Sequence, residues 1–243
     1  MESINALVTQ LGSGDQVKEY QARLALFLLV WRAGKPGGEV EQAQVADALA
    51  VELTAADGGK PRHAARVRGE LCRLLSKIAT DQHVPAIGAA LADAETREMA
   101  RWALDRIQSP LATAALIETA TKGSGTEFRV GAVAALGSRQ GPEATAALNE
   151  CAANQETEIR LAALEALANQ PEAASDALIT AAMATETAPR AKKRLAKARI
   201  RLGDRLLSAG NREAAKAIFQ EVAASAADQP QKDAAARALA EIG

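Results

Sequence analysis

Side chains that could do catalytic chemistry are thinly spread in this 243-residue chain. The two histidines, His63 and His83, lie 20 positions apart, and no HExxH occurs. A metal site needs three or four convergent ligands, so both histidines are expected to be ordinary surface residues. The two cysteines, Cys72 and Cys151, have no CxxC partner and no histidine nearby in sequence. They are expected to be small buried core residues, neither nucleophiles nor a disulfide. Gly12-Ser13-Gly14 and Gly123-Ser124-Gly125 lack the GxGxxG frame, and Gly34-Lys35 and Gly59-Lys60 lack GxxxxGK[ST]. All four are expected to punctuate loops. No GxSxG or SxxK nucleophile motif is present. We therefore expect no catalytic residue, no metal, no other cofactor and no enzymatic activity.

The chemistry that is well represented is cationic. Residues 190–205 hold eight basic residues against one acid, Asp204. At helical spacing, Ala191, Leu195, Ala198, Leu202 and Leu206 form a buried stripe, with Arg190, Arg194, Lys197, Arg201 and Arg205 running beside it. A second basic stretch, 60–77, includes Arg66 and Arg73 and sets six cations against Glu70. Residues 143–176 are the reverse, with seven acids against Arg160. The candidate partner-binding residues are Arg66, Arg73, Arg101, Arg190, Arg194, Lys197 and Arg201. Such groups bind carboxylates or phosphates. Three readings follow: a solvated face paired with acidic neighbouring helices, a groove for an acidic protein or peptide, or a contact to nucleic-acid backbone. The formal net charge of −1 and an aromatic content of only 2% weigh against the last, which stays as the alternative.

These groups must be positioned by helices. Alanine, the best helix former, dominates the apolar residues, while the β-branched and aromatic residues that strands favour are sparse. An all-α class follows. The most apolar run, Leu24 to Trp31, is too short to span a bilayer, is bounded by Arg23 and Arg32, and is expected to be a buried helix. The first five residues show no secretory signal, so a cytoplasmic location with no membrane partner is expected.

Internal repetition organises the chain. Arg97, Arg129 and Arg160 are spaced by 32 and 31 residues, and each follows an acid at −2 and precedes Ala at +3 and +6 and Leu at +7. Those three positions share one helix face: alanine admits a neighbouring helix and leucine fills the seam. The acid is expected in the first helical turn, where the macrodipole favours it. Pro110, Pro142 and Pro171 stand at or near the start of the next helix, a place that tolerates proline. Ile4–Leu11, Gln16–Trp31, Val40–Leu53 and Arg62–Ile78 read as two longer helix pairs, with 34–38 and 57–61 as their loops.

The unit VPAIGAALADAETREMARWALDRI, residues 84–107, resembles the HEAT-like repeat of the phycobilisome-lyase type. The resemblance is clear over about residues 82–189. It implies a right-handed α-α superhelix, a HEAT-repeat solenoid of about six or seven antiparallel helix pairs, whose second helices line the concave side and bind a protein or peptide. Only the repeat is similar, so lyase activity is not expected. The paired His-Glu motifs of the di-iron HEAT-repeat hydroxylases are not matched. Residues 190–243 form a different C-terminal part, set against the 1–189 solenoid. There Leu202-Gly203, Leu206, Ala215 and Phe219, with Gly210-Asn211 at the turn, resemble a tetratricopeptide hairpin, although Val222 stands where that family has Ala. A diverged HEAT pair is the other reading. A last helix, about 231–242, is expected to cap it.

Overall fold

The computed structural model describes residues 3–225 and 229–242, and among them the chain is all-α apart from one two-residue ladder. Met1 and Glu2, which head the stretch read as lacking a secretory signal, lie outside the described residues. Two compact units, Met1–Leu116 and Ile117–Gly243, divide the chain.

The first unit contains α1 (Ile4–Leu11), α2 (Gln16–Ala33), α3 (Glu39–Thr54), α4 (Ala65–Ile78), α5 (Val84–Ala89) and α6 (Arg97–Arg106), and ends within α7 (Pro110–Lys122). Helices adjacent in sequence pair: α1 with α2, α3 with α4, α5 with α6. The pairs then stack in two rows, α2 on α4 on α6 and α1 on α3 on α5. Each hairpin thereby covers an apolar face that its neighbour could not bury alone. Helix starts follow the sequence locally. The Ser3 side chain accepts from Ala6 N–H, and the Asp15 side chain accepts from Val17 and Lys18 N–H, satisfying donors that a helix leaves open. The stretch 57–61, expected as plain loop, closes a small antiparallel ladder in which Asp57 faces Lys60. Gly58 and Gly59 make the turn at φ 57° and 79°, values that glycine adopts without a steric penalty.

The second unit takes the rest of α7 and adds α8 (Thr126–Leu136), α9 (Pro142–Ala152), α10 (Thr157–Leu167), α11 (Ala174–Thr185), α12 (Pro189–Ser208), α13 (Arg212–Ser225) and α14 (Gln229–Ile242). Here α9 pairs with α10 and α11 with α12, while α8, α10 and α12 pack in a row; α13 lies against both α12 and α14. Fourteen α-helices lie among the described residues, where about six or seven pairs were expected. Pro110 and Pro142 are the first residues of α7 and α9, while Pro171 stands outside α11, which begins at Ala174.

The repeat positions behave as their spacing requires. Ala100, Ala103 and Leu104, Ala132, Ala135 and Leu136, and Ala163, Ala166 and Leu167 are all buried. The arginine that heads each set is structural where its bonds are seen. Arg129 Nε donates to the Ala120 carbonyl at 2.9 Å, and Arg160 Nη1 donates to the carbonyls of Asn154 at 2.8 Å and Gln155 at 3.1 Å. These carbonyls lie at or just after the C-terminal end of the preceding helix, where the helix itself supplies no donor. The acid expected in the first turn is there in α8 (Glu127) and α10 (Glu158). Glu95 instead precedes α6, and its N–H donates to Asp93 Oδ1 at 2.9 Å.

The stripe expected on α12 is buried throughout, at Ala191, Leu195, Ala198, Leu202 and Leu206, and packs with Ile179, Ala215 and Phe219. At Gly203 an added Cβ would stand 2.7 Å from the Phe219 ring, so only glycine lets α12 and α13 close to this distance.

Two expectations need correction. The apolar run from Leu24 to Trp31 is not a buried helix. It lies in α2, where Ala22, Leu26, Val30 and Ala33 are buried while Leu24, Phe27, Leu28 and Trp31 are exposed. Nor are the histidines surface residues. His83 is 2% exposed. Its Nδ1 accepts from the Thr80 N–H at 3.0 Å, which leaves Nε2 to donate to Asp47 Oδ1 at 3.1 Å. The His63 side chain is also buried, with Nε2 2.7 Å from Glu52 Oε2. Asn5 Nδ2 donates to the other Glu52 oxygen at 2.7 Å, so this buried carboxylate is partnered on both oxygens.

Candidate partner-binding site

In the second unit, Arg190, Arg194, Lys197 and Arg201 are spaced 4, 3 and 4 residues apart on α12 and share one face. The face is not a bare row of cations. Arg194 is held by α10: its Nε and Nη2 donate to the two Glu165 oxygens at 2.9 Å each, and Nη1 donates to Glu158 at 2.7 Å. The paired bonds from Glu165, joined by those from Glu158, raise the Arg194 pKa further above its already high usual value. Arg201 Nη1 donates to Asn169 Oδ1 at 3.1 Å. Arg190 and Lys197 are exposed and make no ion pair among the described residues. The face thus offers two open cations beside one guanidinium fixed in orientation by carboxylates.

In the first unit, Arg66 and Arg73 lie one face apart by seven residues on α4, and Arg101 lies on α6, which packs against α4. All three are engaged. Arg66 Nη1 donates to Glu19 at 2.9 Å and to the Leu11 carbonyl at 3.3 Å, tying α4 to α1 and α2. The bond from Arg66, with the Gly14 N–H, holds the Glu19 carboxyl below its usual range. Arg73 makes a two-point contact with Glu70, at 2.8 and 2.6 Å, and Arg101 Nε donates to Glu98 at 3.0 Å. Arg66 therefore ties helices together, while Arg73 and Arg101 pair with acids one turn away on their own helices.

Two features escaped the sequence reading. Arg199, one of the eight cations of the 190–205 run, is 4% exposed. Its Nε and Nη2 donate to Asp176 of α11 at 2.6 and 2.9 Å, and Nη2 also donates to Glu221 of α13 at 2.7 Å. Its position between Ala198 and Leu202 on the apolar stripe was the available signal. The second feature is the outward face of α2, where Val17, Tyr20, Leu24, Phe27, Leu28 and Trp31 are 38–65% exposed. Their steps of 3, 4, 3, 1 and 3 define a second apolar stripe on a helix that already buries one. The signal was a helix with more apolar faces than one contact side can cover.

The buried thiols have no role in such a site. Burial pushes the Cys72 thiol up to about 12 and raises that of Cys151 as well. Among the described residues, no three His, Cys, Asp or Glu side chains are grouped to hold a metal ion, and no helix is long and apolar enough to cross a membrane.

No family model and no curated protein matches the chain. Solved structures similar to it include the complex of CpcE and CpcF of phycocyanin lyase from Nostoc sp. PCC7120, 19% identical over 99% of this chain and 88% of that one, with a TM-score of 0.43. Human deoxyhypusine hydroxylase in complex with glycerol is 17% identical over 98% of this chain and 95% of that one, with a TM-score of 0.38. A designed armadillo repeat protein in complex with the peptide (KR)4 is 17% identical over the whole of both chains, with a TM-score of 0.41.

Proposed function

We propose that this chain is a protein- or peptide-binding repeat module, a scaffold that takes an acidic segment on the face formed by its second helices, and that it acts in the cytoplasm without catalysing a reaction. The observation that supports this reading is the α12 face: open Arg190 and Lys197 on either side of Arg194, with Arg194 locked by Glu158 and Glu165. A cation already fixed in place gives up little rotamer freedom on binding, which favours recognition of a defined partner. The formal net charge of −1 and the scarcity of aromatic residues weigh against a nucleic-acid backbone as that partner. Arg66, Arg73 and Arg101 contribute to the same kind of face in the first unit, and residues 190–243 serve as a tetratricopeptide-like end of the HEAT-like stack.

The test is affinity purification of the tagged chain from its native lysate, with and without nuclease, alongside the double variant Arg190→Glu/Lys197→Glu. The proposal expects a stoichiometric protein that survives nuclease treatment and is lost from the double variant. Recovery of nucleic acid that moderate salt removes would replace it with the backbone-binding alternative, which acts through counterion release.

A further inference from the structure

The two carboxylates that hold Arg194 do different work. Glu165 is partly buried and takes both Nε and Nη2, at 2.9 Å each. Two parallel bonds fix the plane and direction of a guanidinium. Glu158 is 61% exposed and takes Nη1 alone, at 2.7 Å, through one oxygen. Its carboxylate makes no other hydrogen bond among the described residues. Glu165 therefore suffices to aim Arg194, and Glu158 fills the one guanidinium nitrogen that Glu165 leaves unused.

The place that Glu158 fills lies between two open cations. At 1.5 Å of rise per residue, Arg190 stands about 6 Å before Arg194 along α12, and Lys197 about 4.5 Å after it. Both are exposed and make no ion pair among the described residues. An acidic segment laid on this face meets two free cations and, between them, a third already occupied by a carboxylate of the chain itself. Exchanging Glu158 for an incoming carboxylate trades one exposed ion pair for another, which is worth little alone. The exchange becomes favourable when Arg190 and Lys197 already hold the same segment, because its next acid then stands beside Nη1 at high effective concentration.

We infer, resting on the peptide-binding reading above, that Glu158 is an internal stand-in for a partner carboxylate, an autoinhibitory contact that a segment with several acids displaces from Arg194. Glu165 stays paired throughout and keeps the guanidinium aimed. A segment with a single acid gains nothing by the exchange, so the contact makes the face selective for closely spaced acids.

The probe is a labelled glutamate-rich 12-residue peptide, titrated against the full chain by fluorescence anisotropy. Glu158→Gln should tighten binding by about threefold to fivefold, the range of an exposed ion pair. The same substitution made in an Arg194→Gln chain should leave affinity unchanged, because no guanidinium is then released. Glu156→Gln removes an equal charge two residues away, from a side chain with no ion pair among the described residues, and should also leave affinity unchanged. Circular dichroism of each variant separates altered binding from altered folding. Binding seen in Glu158→Gln but not in the wild-type chain would support the inference in its strongest form. A gain that persists in the Arg194→Gln chain, or that Glu156→Gln reproduces, would reduce the effect to overall charge and overturn it. Wild-type binding that Glu158→Gln does not tighten would overturn the inference and leave the peptide-binding reading standing. No peptide binding by either chain would overturn both.

Discussion

Cys72 shows how burial decides what a residue can do. Its thiol is raised to about 12 because the core disfavours the thiolate, and the thiolate is the nucleophile. We expect iodoacetamide at neutral pH to leave Cys72 unmodified in the native chain and to modify it fully in denaturant, as read by mass spectrometry. Glu52 is the opposite case. Burial pushes its carboxyl up, but the hydrogen bonds from Asn5 and His63 outweigh that and hold it below the usual glutamate value of 4.5. A depressed folded value stabilises the fold above the unfolded value, and that stability is lost as pH falls through the folded one. Thermal melts should therefore decline as pH drops below 4.5, and Glu52→Gln should flatten that decline while lowering the melting temperature at pH 7. The cysteines were legible as core residues because small apolar thiols are buried by default. The histidines were not. Their partners Glu52 and Asp47 lie 11 and 36 residues away in the chain, and no local pattern announces such a pairing.

Helix boundaries and hairpins were largely legible, because proline starts, glycine turns and the Arg–Ala–Ala–Leu spacing are local signals. What periodicity could not supply was which side of a helix meets a neighbour when both sides are apolar. In α2 the buried set, Ala22, Leu26, Val30 and Ala33, is smaller than the exposed set that includes Phe27 and Trp31, so hydrophobicity alone points to the wrong face. Two outcomes follow for the elements. Gly203→Ala should cost about 1–3 kcal/mol in chemical denaturation, because its methyl would meet the Phe219 ring and the α12–α13 pair cannot yield without opening the core. Leu24→Ser on the outward α2 face should change stability by no more than about 0.5 kcal/mol. A loss of several kcal/mol there would show that the face is packed.

Across the chain, charge is nearly balanced but locally segregated, with the basic run 190–205 following the acidic run 143–176. Folding brings these two together within the second unit, so that α10 carboxylates neutralise Arg194 and leave Arg190 and Lys197 open. The run was legible as basic; how much of it the fold cancels internally was not, because Glu158 and Glu165 lie 36 and 29 residues from Arg194. The measurement that bears most directly on the scaffold reading is an anisotropy titration of the chain against a labelled glutamate-rich 12-residue peptide and, separately, a labelled 20-base-pair DNA duplex. Both would be run at 50 and 200 mM salt, with Arg190→Glu/Lys197→Glu in parallel. The account predicts saturable peptide binding that the double variant abolishes, with the duplex bound more weakly at both salt concentrations. Tighter binding of the duplex, falling steeply with salt and reduced by the same variant, would contradict it.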